Sequence, residues 1–235
     1  MEIARYVIQN YPSRGVLGLS LMAGQAFLYN SVFFTYTLVL GEFFGISAQR
    51  APLFLIPFSV GNILGPLLLG PLFDTIGRRV MIASTYVISG VLLIVTGFLF
   101  TSDVLTATTM TIAWCVIFFF ASAGASSAYL TVSELFPLEA RAMAIALFYS
   151  IGTGIAALSP TLFGALIATH SRTNVNYGYM LGAGLMIAAG IVAIFLAVDA
   201  ERRSLEDVAK PLTAVRYPRS WTPERVSVAA GRSSA

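Results

Sequence analysis

The chain has 235 residues, with 14 Lys and Arg against 11 Asp and Glu, one His, and a formal net charge of +3. Hydrophobic residues make up 57% of it and charged residues 11%, where an average soluble domain carries roughly 25% charged residues. That balance excludes an ordinary water-soluble globular domain. It also makes the pI near 9.2 a sign of contact with anionic lipid rather than with nucleic acid.

Every charge lies outside six apolar windows: Gly15–Gly41, Ala51–Phe73, Val80–Ser102, Val104–Ser133, Ala142–Thr169 and Thr173–Val198. Each exceeds the ~20 residues a helix needs to cross the hydrocarbon core. One Lys, Arg or Asp at mid-membrane costs about 2.5–3.5 kcal/mol on the insertion scale. The predicted fold class is therefore all-α, a polytopic membrane protein built as a six-transmembrane-helix bundle. With both termini inside, twelve of the 14 basic residues are cytoplasmic and only Arg50 and Arg172 lie outside, a positive-inside pattern. The expectation is a multi-pass integral protein of the cell (inner) membrane, both termini cytoplasmic.

Residues 1–14 form a short cytoplasmic segment, with Pro12 expected to end any helix there. No signal peptide is evident: the first apolar window is too long for one, and Glu2 precedes it. Residues 15–199 are the membrane domain. The first window carries Gln25, Tyr29, Asn30 and Tyr36 within apolar surroundings. Gln25 and Tyr29 share a face at i, i+4, and Asn30 lies about 100° further round. Such groups turn inward, either as interhelical hydrogen bonds of about 0.6 kcal/mol each or as part of a solute pathway. The second window is punctuated by Pro52, Pro57, Pro66 and Pro71, and also holds Asn62. Gly61 with Gly65, and Gly178 with Gly182, are small-xxx-small steps for close helix packing, with a gating hinge as the alternative.

The stretch from Gly70 to Arg79 follows. Gly70 is expected to let neighbouring backbones approach, Asp74 to cap the next turn, and Gly77 to permit a left-handed conformation. Arg78 and Arg79 then stand at the membrane edge. One helix later come Glu134, Phe136, Pro137, Glu139 and Arg141. Asp74, Arg78, Arg79, Glu134 and Arg141 could meet as an inner clamp, or merely enforce topology. In the fourth window Trp114 is an interfacial or core aromatic, Cys115 a small buried hydrophobe with no intrachain disulfide partner, and Tyr129 a further polar candidate. His170, beside Arg172, is expected to be a solvated loop histidine. In the tail, residues 200–235, Ser204 and Asp207 resemble a capping box, Pro211 stops that helix, and the chain after about 212 is largely disordered.

No window holds an Asp, Glu, Lys, Arg or His at mid-depth, and there is no HExxH and no pair of buried acids. The chain is therefore not expected to be an enzyme, to bind a metal or to need a cofactor.

The pattern Gly70-xxx-Asp74-xx-Gly77-Arg78-Arg79, followed by Glu134-x-Phe136-Pro137-xxx-Arg141, resembles the major facilitator superfamily. More narrowly it resembles the sugar-porter-like and metabolite:proton symporter branch, over Gly15 to Leu212. Gln25 and Asn30 match two residues of that branch's Gln-Gln-x-x-Gly-x-Asn pattern, while Gly24 and Leu28 depart from it. Phe34 and Thr35 stand where an aromatic pair follows. Asn62 matches a substrate-contacting asparagine, and Ala125, Ser126 and Tyr129 replace a Gly-Pro-x-x-Trp pattern.

The resemblance implies half of a twelve-helix fold, with residues 1–14 as the end of the central linker. It implies transport of a small organic solute, a sugar or other metabolite, by alternating access, with proton coupling as a variant. Gln25, Tyr29, Asn30, Phe34, Asn62 and Tyr129 would bind the substrate. Gly70, Asp74, Gly77, Arg78, Arg79, Glu134 and Arg141 would form the conformational clamp. The implied partners are a small-molecule substrate, membrane lipid, and an N-terminal six-helix half or a second copy, with no nucleic acid. The competing expectations are a stand-alone six-helix scaffold, a homodimeric pore, or a non-functional truncated fragment.

Overall fold

A computed structural model describes residues 12–136 and 138–197. Helix α1 runs from Pro12 to Phe44. A 3-10 turn, Ala51–Phe54, leads into α2, Leu55–Thr75. Then come α3, Arg78–Thr101; α4, Ala107–Leu135; α5, Leu138–Ala156; α6, Leu158–Ile167; and α7, Arg172–Leu196. Six segments are long and apolar enough to cross a membrane, with α5 and α6 together making the fifth. The described residues are all-α, as the apolar windows predict. The short segment before Pro12 and the tail beyond residue 197, with its capping box, lie outside the described residues. α1 is helical from Pro12 onward, and proline is tolerated in a first helical turn.

Successive spans alternate in direction, so the loops fall at two ends. The Arg78 end holds the α2–α3 and α4–α5 connections. The Arg172 end holds the connections at 45–50, 102–106 and 168–171. Each connection has its own local chemistry. Gly77 sits at φ 112° between α2 and α3, a conformation in which a Cβ would be strained. The Thr106 hydroxyl accepts from Thr109 N–H while the Thr109 hydroxyl accepts from Thr106 N–H, a reciprocal cap that opens α4. Ser171 accepts from Asn174 N–H at the start of α7.

The break between α5 and α6 has a chemical cause. Pro160 lacks the N–H that would bond the Ala156 carbonyl, and its ring crowds that carbonyl. The Ser159 hydroxyl donates to Ala156 O instead, at 2.8 Å. In a bilayer such a freed carbonyl needs a protein or water donor, and this serine provides it.

Packing pairs α3 with α7, α2 with α4, and α1 with α5 and α7. Glycines set the closest of these. A Cβ on Gly65 would stand 2.0 Å from Phe119 O and 2.4 Å from the Ser122 hydroxyl; one on Gly61 would stand 2.4 Å from Cys115 O. The Gly61–Gly65 step is therefore the seat of α4 against α2, in keeping with close packing. Cys115 itself is half-buried and free.

Toward the Arg172 end the core is aromatic. Phe58 and Phe118 pack edge to face at 4.4 Å, and Phe33 meets Phe58 at 4.8 Å. Trp114 is a core residue, 5.5 Å from Tyr179. The Tyr36 hydroxyl bonds that of Thr111 at 2.6 Å.

Candidate functional site: a neutral polar cavity at mid-span

One turn from the aromatic layer, toward the Arg78 end, the helices part around a cavity of about 360 Å³. Its lining comes from α1 and α2 at mid-length, from the middle and second half of α4, and from the last two turns of α5. Gln25, Tyr29 and Asn30 face it from α1, Asn62 and Pro66 from α2, Ser122, Ser126 and Tyr129 from α4, and Tyr149 and Thr153 from α5. The i, i+4 spacing of Gln25 and Tyr29 puts both on one wall, and Asn30 takes the adjoining position.

The polar groups are held by one another and by backbone. The Tyr29 hydroxyl donates to Asn62 Oδ1 at 2.6 Å, joining α1 to α2. Tyr29 is fixed in turn by its ring, which meets Phe118 edge-on at 4.9 Å. The Asn30 amide donates to Ala26 O at 2.8 Å. The Tyr129 hydroxyl lies beside Gln25, and its ring is 6.1 Å from that of Tyr149. Thr153 donates back to Tyr149 O at 2.7 Å. None of the lining residues is charged.

Five of the six substrate-binding candidates thus share one cavity: Gln25, Tyr29, Asn30, Asn62 and Tyr129. Phe34 does not join them. It is 65% exposed on the outer face of α1, and its neighbour Phe33 packs inward on Tyr29, Phe58 and Phe118. Tyr149 and Thr153 had no counterpart among the candidates. Their i, i+4 spacing within an apolar window is the same signal that marks Gln25 and Tyr29.

A second cavity of about 280 Å³ continues toward the Arg78 end. It shares Pro66 and Ser126 with the first and is lined further on by Gly70, Phe73, Asp74, Arg78 and Thr131. Here one pair of the expected clamp lies within the described residues. Asp74 pairs with Arg78 at 3.6 Å, four residues along the chain, and the Asp74 side chain is 73% exposed. Asp74 does not cap α3: Gly77 is the N-cap, without a side-chain bond. Nor does Gly70 admit a close neighbour, since the space where its Cβ would stand is open. Arg79 lines a separate apolar groove with Val80, Ala83 and Ile194. The Arg141 Nε is buried and meets no acceptor among the described residues. Glu134 is in helix α4, and its side chain lies outside the described residues. Among the described residues, a cross-helix bond at this end comes from a residue the sequence did not single out: Arg14 donates to Leu135 O at 2.5 Å.

The opposite end is fastened by Arg172. Its guanidinium donates to Phe43 O at 3.0 Å and Phe100 O at 3.3 Å, and pairs with Asp103 at 2.8 Å. The rings of Phe43, Phe44 and Phe100 surround it at 4.9–5.6 Å. Arg172 opens its own helix, an unfavourable place for a cation. It reaches instead the carbonyl ends of α1 and α3, where the helix dipoles favour positive charge. His170 is exposed, as a loop histidine should be, but it also bonds Glu42 at the end of α1.

Among the described residues, no group of His, Cys, Asp and Glu could hold a metal ion. The arrangement offers hydrogen bonds to a small solute at mid-span, with a second cavity of mixed lining toward one end. A search of curated proteins finds no match to this chain. The family model of the Major Facilitator Superfamily matches residues 18–231, so the chain belongs to that superfamily, whose fold serves solute transport across membranes.

Proposed function

We propose that this protein carries a small organic solute across a membrane by alternating access, with the mid-span cavity as its binding site. The observation that carries this reading is the cavity's composition. Amides and hydroxyls from four spans converge at mid-length, where each polar group must be satisfied by protein, water or ligand. Under the positive-inside count, the Arg78 end is cytoplasmic. The second cavity then forms the inner part of the route, and the aromatic layer of Phe33, Phe58 and Phe118 closes the outer side.

The chain would act as one half of a carrier. Two spans favour this: only 17% of the second span's most apolar stretch and 28% of the fifth's is buried. Both spans contribute to the cavity, so the surface beside the site is open to another six-helix bundle. That bundle would be an N-terminal half or a second copy. A sugar or a related metabolite suits the site. Proton coupling would rest on an acid outside the cavity described above, because no lining residue is a carboxylate. A homodimeric pore is the rival reading, favoured by the same open surface.

Counterflow in proteoliposomes separates these readings. The full chain, alone and with any co-expressed partner half, is loaded with unlabelled sugars, polyols, organic acids or amino acids and given a labelled tracer. Saturable exchange of one class is the expected result. Unsaturable flux of ions and solutes alike would establish the pore instead.

A further inference from the structure

We propose that the groove between α3 and α7 at the Arg78 end is a binding site for an anionic phospholipid, its phosphate on Arg79 and an acyl chain along the groove. The site lies apart from the mid-span cavity, whose lining includes nothing from α3 or α7.

The groove, of about 360 Å³, is lined by Arg79, Val80, Ala83, Ser84 and Val87 of α3 and by Ile194 of α7. Its shape follows from small residues. Gly190 lets the two antiparallel helices close on each other: a Cβ there would stand 2.7 Å from Val87 Cγ2 and 3.1 Å from Ala83 O. Ala83 and Ser84 are then too short to fill the space between the larger side chains. Val80 and Ile194 are 56% and 42% exposed, so the groove opens on the outside of the bundle. The Ser84 hydroxyl donates to Met81 O at 3.1 Å, which spends its proton within the helix. Apart from Arg79 the walls suit methylene groups.

Charge decides the occupant. Arg79 lays its stem on an apolar wall at the membrane edge, with its guanidinium free to reach the headgroup level. Its neighbour Arg78 pairs with Asp74, whereas among the described residues no acid pairs with Arg79. Arg79 also stands in the first turn of α3, whose N-cap Gly77 makes no side-chain bond. A cation is unfavourable there and a phosphate favourable, and the guanidinium fork matches a phosphate with two bonds. A protein covering the groove would have to bury that charge; a phospholipid brings the counter-charge and the chain together. A zwitterionic lipid would set its own cation beside the guanidinium, so an anionic headgroup is favoured. Under the positive-inside count this end is cytoplasmic, the side on which anionic lipid attracts basic residues. The bound lipid would tie the start of α3 to the end of α7.

The test uses the full chain in non-ionic detergent. Phosphatidylglycerol and phosphatidylcholine with identical acyl chains are titrated while the thermal unfolding midpoint is followed. Phosphatidylglycerol should stabilise saturably, at about fivefold lower concentration than phosphatidylcholine. Arg79→Gln should abolish that preference, while Arg216→Gln, which removes one charge from the tail, should keep it. Ser84→Phe fills the groove and should weaken phosphatidylglycerol about fivefold with an unchanged size-exclusion profile. Glycerol 3-phosphate, the headgroup anion without chains, should not stabilise.

Equal action of the two lipids, or no saturable stabilisation by either, overturns the proposal. So does an Arg79→Gln variant that keeps the preference, or an Arg216→Gln variant that loses it equally. Glycerol 3-phosphate as effective as the lipid would make this a soluble-anion site instead. A dimer in lipid-free detergent that Ser84→Phe breaks would give the groove to a second copy. If Ser84→Phe does not fold, the Arg79→Gln and Arg216→Gln pair still decides.

Discussion

The two ends of the bundle are fastened differently. At the Arg172 end, one guanidinium ties the ends of α1 and α3 to the start of α7, and His170 adds a bond to Glu42. At the Arg78 end, the ties seen among the described residues are of another kind: the Asp74–Arg78 pair links residues four apart, and Arg14 bonds a backbone carbonyl of α4. The core follows the same division. Aromatic rings fill the Arg172 half, whereas the middle holds a cavity walled by amides and hydroxyls, and the Arg78 half one of mixed lining with the Asp74–Arg78 pair. At the Arg172 end three helix ends meet around one guanidinium. Room is left where a solute would sit and leave.

The comparison can be broken from either side, and the largest effect should come from the backbone seat between α2 and α4. Gly65→Leu forces a side chain into Phe119 O, where even a Cβ would lie 2.0 Å away. Overpacking of that kind costs about 1–3 kcal/mol and more where backbone is the obstacle. The variant should fail to yield folded protein in detergent, judged by size-exclusion profile.

Next is Arg172→Ala. It removes two carbonyl bonds, an ion pair and three ring contacts from a side chain that is 22% exposed, for a loss of about 2–3 kcal/mol. The thermal midpoint should fall clearly, and Arg172→Lys should recover only part of it, because Lys lacks the planar fork. Asn62→Ala removes the acceptor of the Tyr29 hydroxyl, so the midpoint should fall by the equivalent of about 1 kcal/mol or less while apparent solute affinity weakens about tenfold. An unchanged affinity would reduce Asn62 to a packing residue. The smallest structural effect belongs to Asp74→Asn. The pair it breaks is exposed and contributes about 0–1 kcal/mol, so membrane insertion should persist while the exchange rate falls. Normal uptake kinetics in that variant would remove the Arg78 end from the conformational cycle.

How much of this could be read from the sequence depends on what kind of partner each residue has. The six spans are legible because burial of charge in lipid is so unfavourable that the windows stay clean. Gln25, Tyr29, Asn30 and Asn62 are legible for a related reason: a polar side chain in an apolar helix needs a partner. Phe34 shows the limit of that logic. Phe33 and Phe34 differ by one helical step, about 100°, and no polarity marks which of two phenylalanines turns inward. Tyr149 and Thr153 carried a usable signal, but α5 is weakly covered and its window has several hydroxyls. Arg172 was hidden more deeply. Its principal partners are backbone carbonyls and ring faces, which leave no sequence partner to match. The break at Ala157 was readable in principle from Pro160, and Ser159 is the residue that makes it tolerable in a membrane.

The most direct test of the central claim asks whether the mid-span cavity is a water-filled site rather than a packing defect. In a Cys115→Ser background, Thr153→Cys and Phe195→Cys variants are placed in nanodiscs and treated with a charged thiol reagent that does not enter lipid. Thr153 lines the cavity, whereas Phe195 is 74% exposed on the apolar outside of α7. The account predicts rapid modification of the Thr153→Cys variant and none of the Phe195→Cys variant. An unreactive Thr153→Cys variant, or equal labelling of both, would contradict it.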